Sequence, residues 1–137
     1  MALDATHIRL LQLLKKHAAS EIAIRSIMEI GEQNWFGDVA PEQLRVLVGT
    51  HRRGDERARL ISELETLLRE KQSNRLFRFD AAKLFYKIVF GCEDYAAIDL
   101  HGTPIAVRYD MNEPLSVDKQ YDFVTNIGTA EHVFNQY

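Results

Sequence analysis

Apolar residues recur at helical spacing in four stretches of the chain and gather into short runs in four others. From Leu3 to about Ala19, the residues Leu3, Ile8, Leu10, Leu11, Leu13 and Leu14 form a broad helical stripe. Lys15, Lys16 and His17 stand near its C-terminal end, where cations complement the helix dipole. The run Ser26 to Gly31 is short, apolar and stopped by glycine, which predicts a buried strand feeding a turn; a helix continuing through Ile22 and Ile24 is the alternative. Pro41 and Glu42 suit a first helical turn, since proline lacks only an amide hydrogen that is unneeded there, and Leu44 to Val48 continue the helix. Leu60, Ile61, Leu64, Leu67 and Leu68 fall at i, i+1, i+4, i+7 and i+8, the clearest amphipathic pattern present. Asp80 reads as an N-cap for a helix through Leu84, Phe85, Ile88 and Val89 that stops at Gly91.

After Gly91 the texture changes. The segments 95–99, 105–110 and 121–126 are short apolar or aromatic runs separated by Gly102, Pro104 and Pro114, and they predict three strands. The order of helix, strand, helices, strand, strand and strand predicts an α/β layered domain with a mostly parallel sheet. The whole of 1–137 reads as one domain, with an N-terminal helix over 1–21 and a helical insertion over 41–72.

The length of 137 residues allows one core, and 46% hydrophobic with 27% charged residues is ordinary globular composition. A net charge of −3 supplies no surplus of cations for a nucleic-acid backbone. The one arginine cluster, Arg52, Arg53, Arg57 and Arg59, is interrupted by Asp55 and Glu56 and reads as a solvated helix face. Cys92 is the only cysteine, which excludes an intrachain disulfide and a cysteine-based metal site and reads as buried rather than nucleophilic. Asp4, His7, His101, Glu131 and His132 have no metal-site spacing. An early acid and the absence of a long uncharged run predict neither a secretory signal nor a membrane span, hence a cytoplasmic protein.

In a parallel sheet, ligands sit beyond the carboxyl ends of the strands, and those positions here are polar. They are Glu29, Gly31, Glu32 and Gln33 after the first strand, Asp99 after the second, Asp110 and Asn112 after the third, and Asn126 to His132 after the fourth. Gly31 would let backbone approach a ligand, Asp99 can accept hydrogen bonds from both hydroxyls of a ribose, and Asp110 with Asn112 can read an amino-purine edge. The bland alternative is that such residues follow strands because they make turns and caps. Trp35 and Phe36 beside the glycine can stack on a base or belong to the core.

The motifs Glu29-Ile-Gly-Glu-Gln33 and Asn126-Ile-Gly-Thr-Ala-Glu-His132, with the chain from about residue 22 onward, resemble the class I S-adenosylmethionine-dependent methyltransferases of Rossmann-like fold. The resemblance implies that Glu29, Gly31 and Gln33 face the methionine part of the cofactor, that Asp99 holds its ribose, and that Asp110 and Asn112 lie near adenine. It implies that Asn126 and Gly128 border the cofactor, that Thr129 and Glu131 line the acceptor site, and that His132 is the general base for a small-molecule or sugar-like acceptor. Gly31 stands alone where the family has two or three glycines. It also lies much farther from Asp99 than the roughly 20 residues of a compact dinucleotide unit, which makes the intervening helices an insertion. A full domain of this kind carries about three further strands, so the resemblance implies a sheet truncated after the fourth strand and completed by self-association or a partner chain. A non-catalytic binding or assembly module, using the face of Leu60, Leu64, Leu67 and Leu68, is the competing reading. A nicotinamide-dependent oxidoreductase would need the Gly-x-Gly-x-x-Gly turn, which is absent.

Overall fold

A computed structural model describes residues 2–17, 21–116 and 118–132. Its elements are β1 (Ala2–Leu3), α1 (Ala5–His17), β2 (Ser26–Ile30), β3 (Asn34–Trp35), α2 (Leu44–His51), α3 (Gly54–Arg69), α4 (Phe77–Phe90), β4 (Asp94–Ile98) and β5 (Phe123–Thr125), with 3₁₀ turns at Pro41–Gln43 and Ala130–His132. The chain is α/β and its strand pairs are parallel. The larger sheet has the order β4-β2-β5, and β1 pairs with β3 in a second, two-stranded sheet.

Ile27 lies beside Tyr95 on one side and Phe123 on the other, and Glu29 lies between Ala97 and Thr125. Side chains alternate across a strand, so these six share one face, which packs on α4. The Phe90 and Phe123 rings are 5.6 Å apart and the Tyr86 and Tyr95 rings 6.3 Å. α4 is apolar over most of its circumference because it is packed against this sheet, α2 and α3, with Phe85, Tyr86 and Ile88 fully enclosed and Asp80, Lys83 and Lys87 forming its polar stripe. The stripe of α3 supplies Leu60, Leu64 and Leu67 to the same core. That face is therefore unavailable to a partner.

Several expectations need correction. The segment 105–110 is not a strand. It makes one parallel bridge, Val107 to Ile98, and buries Ala106 but leaves Ile105 and Val107 each 57% exposed, so the face those two share is uncovered by the described residues. The sheet of the described residues accordingly has three strands where four were expected. Leu3 belongs to β1 rather than to the first helix, which Asp4 starts by accepting the His7 amide at 2.9 Å; Ala18 and Ala19 lie outside the described residues. Asp80 is not an N-cap. α4 begins at Phe77, after a turn in which the Asn74 side chain accepts the Leu76 amide and donates to Asp80. The arginine cluster divides: Arg52 donates to the carbonyls of Ile88 and Lys87 at the end of α4, satisfying groups that the helix leaves unpaired.

Gly91 closes α4 in the left-handed region at φ 79°, as its sequence position predicted. A β-carbon there would approach the Arg52 guanidinium at 3.1 Å. Gly91→Ala is expected to lower stability by about 1–2 kcal/mol, through left-handed strain and a displaced cap. Thermal or urea unfolding measures it, and an unchanged midpoint would refute the account. No helix among the described residues is long and apolar enough to cross a membrane.

Candidate functional site

β2 is followed in sequence by strands that add on both of its sides, β4 on one and β5 on the other. The polypeptide thus leaves β2 and returns to either flank, the arrangement whose strand carboxyl ends are the ligand-binding place in open parallel sheets. The turn 31–33 lies there, because the Gly31 amide donates to the Ile98 carbonyl at 2.8 Å.

Three polar side chains tie this turn to its neighbours. Gln33, almost wholly buried, donates through Nε2 to the carbonyls of Gly31 at 2.8 Å and Ile127 at 3.2 Å, joining the turn to the segment after β5. Asp99 accepts the Glu32 amide at 3.0 Å and the His101 amide at 2.8 Å. The buried Glu32 carboxylate accepts both the amide and the hydroxyl of Thr103, at 2.6 and 2.8 Å, with the Lys83 ammonium of α4 at 3.7 Å. Gly102 is the residue that lets this loop close: a β-carbon on it would stand 2.8 to 2.9 Å from Ala106, Asp99 and Glu32.

Gly31 has φ 81°. Its open face is covered by Thr129, whose Cβ and Cγ2 would lie 2.9 and 3.0 Å from an added β-carbon and whose Oγ1 would lie closer still. The glycine is thus required by the approach of the chain's own 126–129 segment. That segment is shaped by Gly128 at φ 70° and by Asn126, whose side chain accepts the Ala130 amide at 3.1 Å. The Oγ1 of Thr129 and the Oε1 of Gln33 are buried without hydrogen-bond partners.

Glu29 points into the sheet–α4 interface and is 0% exposed. Its Oε2 accepts the Gln33 amide at 2.8 Å and the Tyr95 hydroxyl, while its Oε1, the Tyr86 hydroxyl and the Thr125 hydroxyl make no well-formed hydrogen bond, although Tyr86 lies close enough to both to interact with them. Burial pushes its carboxyl above the ordinary range, against the lowering effect of the Tyr95 and Gln33 hydrogen bonds. The phenols of Tyr86 and Tyr95 are pushed up by burial and by Glu29.

Of the positions singled out from the sequence, Gly31, Gln33, Asp99 and the segment of Asn126, Gly128 and Thr129 meet at the strand ends, and Glu29 supports them from beneath. Asp110 and Asn112 bond to each other: Asp110 accepts the amide and the side chain of Asn112, both at 2.9 Å, which holds its carboxyl below the ordinary range. They form an exposed turn of their own. His132 is exposed in the Ala130–His132 turn and the side chain of Glu131 lies outside the described residues. Thr103 and Lys83 are site-building residues absent from the strand-end positions, and Glu32 is one of those positions to which the sequence gives no role; the Glu32–Thr103 partnership crosses 71 residues.

Trp35 belongs to the core, donating to the Val39 carbonyl at 2.7 Å and lying 6.0 Å from the Phe85 ring. Cys92 is buried and donates to the Asp94 carbonyl, and burial pushes its thiol up to about 11, so it is mostly protonated at neutral pH. Among the described residues no group of three or more His, Cys, Asp or Glu side chains can hold a metal ion. The chain matches no family model, no curated protein and no solved structure.

Proposed function

We propose that this chain is a class I methyltransferase-type domain with a Rossmann-like sheet, and that it binds S-adenosylmethionine at the carboxyl ends of β4, β2 and β5. The observation that carries this reading is the meeting of Gly31, Asp99 and the 126–129 segment at the point where the strand order reverses.

The residues fit such a ligand in two respects. Asp99 uses each carboxylate oxygen for one amide, and each oxygen has a second lone pair for a ribose hydroxyl. The unpartnered Gln33 Oε1 and Thr129 Oγ1 are buried polar atoms that a polar ligand would satisfy. Thr129 also covers Gly31, so a ligand touching that glycine displaces the Thr129 side chain. S-adenosylmethionine, when bound, supplies an electrophilic methyl group on a sulfonium. The protein's task is then alignment and exclusion of water. His132 takes the proton of an alcohol acceptor, and Glu131 and Thr129 border that acceptor.

Exposed apolar residues near the sheet favour the assembly reading as a second possibility. Val124 on β5 is 50% exposed, and Ile105 and Val107 stand out beside β4.

Calorimetric titration with S-adenosylmethionine and S-adenosylhomocysteine separates the two, with light scattering for oligomer size. Saturable binding that Asp99→Ala weakens by about tenfold or more, in a variant whose melt remains cooperative, supports the cofactor site. Asp99→Asn keeps an acceptor oxygen and is expected to bind with an intermediate loss. A folded chain that binds neither ligand refutes the proposal, and self-association in that same chain favours the assembly module.

A further inference from the structure

A second cleft, of about 570 Å³, opens between the 3₁₀ turn Pro41–Gln43, the turn after α3 and the first turn of α4. Its apolar walls include Trp35, Pro41 and Phe77, and its cations are Lys71, Arg75 and Arg78. Glu42 is the one carboxylate among its lining residues, and it lies 3.6 Å from Lys71, which also sits over the Phe77 ring. Arg75 and Arg78 have no ion pair or side-chain hydrogen bond among the described residues. The lining therefore carries a local excess of two positive charges on a chain of net −3.

Such an arrangement differs from the other arginines near the core. Arg45 is neutralised by Glu65 at 2.6 Å, and Arg52 is consumed by the carbonyls that end α4 and by Glu56. Two planar, weakly hydrated guanidinium groups beside an apolar wall are suited to an oxyanion attached to an apolar body. The guanidiniums take the oxyanion in forked hydrogen bonds and the wall takes the body.

We propose that this cleft binds a small organic anion, a phosphate monoester or carboxylate with an aromatic or aliphatic body, held by Arg75 and Arg78. The site is distinct from the strand ends assigned above to the cofactor and does not depend on that assignment.

Equilibrium dialysis of the whole chain against phenyl phosphate and against benzoate, at constant ionic strength, tests it and separates the two oxyanion sources. The expected result is saturable uptake of at least one probe at a single site. Binding should weaken by about tenfold or more in Arg75→Gln/Arg78→Gln, with no change in Arg59→Gln, an exposed arginine of α3 outside the cleft. Both arginines are exposed, so the double variant should melt like the parent. Failure of both probes to bind saturably overturns the proposal, as does uptake that survives in the double variant or falls equally in Arg59→Gln. Titration of the double variant with S-adenosylhomocysteine reports on the cofactor site separately.

Discussion

Gly31→Ala is expected to destabilise the chain by about 3 kcal/mol, lowering its melting temperature by roughly 10 °C. Two costs combine. The residue sits at φ 81°, where an L side chain costs about 1–2 kcal/mol, and the new methyl group collides with Thr129. Overpacking of this kind costs about 1–3 kcal/mol, and rotating the Thr129 side chain relieves only part of it, because the Thr129 Cβ, which rotation does not move, would itself lie 2.9 Å from the new methyl group. The two costs separate in a double-mutant cycle. Thr129→Gly removes the collision, so Gly31→Ala introduced into that background should retain the backbone cost and lose the steric one. Urea unfolding of the four proteins measures the coupling. Equal effects of Gly31→Ala in both backgrounds would show that Thr129 does not demand the glycine. If Gly31 served only to let a ligand approach, the variant would lose binding but cost the fold no more than its backbone strain.

The glycine after β2, the acid after β4 and the polar run after β5 were legible in the sequence because a strand end imposes local chemistry: a turn needs glycine, and unpaired amides need acceptors. What was not legible is which acceptor takes which amide. Asp99 holds Glu32 across 67 positions, and Gln33 reaches Ile127 across 94. Nothing local records a contact made by two loops meeting above a sheet. β1 and β3 were missed because two residues each are too short to show a period. The segment 105–110 misled for the opposite reason: Ile105, Val107 and Tyr109 alternate as a strand would, yet Val107 makes the only bridge there and the first two remain exposed. Alternation marks a capacity to line a sheet, and the described residues supply no layer to cover that part of the surface. α4 started early because Asn74 and the turn it organises outcompete Asp80, which joins the same hydrogen-bonded group one turn later.

Glu29 is the position where substitution and pH should act together. Glu29→Ala is expected to cost about 3 kcal/mol, since it leaves a void in the sheet–α4 interface and strips the Tyr95 hydroxyl and the Gln33 amide of their acceptor. Glu29→Gln keeps the shape and an acceptor oxygen, and its amide can donate toward the Tyr86 hydroxyl. It should be close to neutral for stability. The two proteins should then differ in pH dependence. Burial raises the folded-state pKa of Glu29 above its ordinary value of 4.5, so the folded chain binds the proton more tightly than the unfolded one. The stabilisation from that proton is complete below the ordinary value and is lost as pH rises through the folded one. Asp122 acts in the other direction: the amides of Ser26 and Arg25 hold its carboxyl low, and its contribution is lost as pH falls. Subtracting the Glu29→Gln profile from that of the parent removes Asp122 and Asp110, which both proteins share, and leaves Glu29 with its coupling to Glu32. The difference should grow in favour of the glutamine variant as pH rises above the ordinary carboxyl value of 4.5. Urea unfolding at a series of pH values tests this, and a difference that is flat, or that favours the parent at higher pH, would show that the Tyr95 and Gln33 hydrogen bonds outweigh burial at this carboxyl.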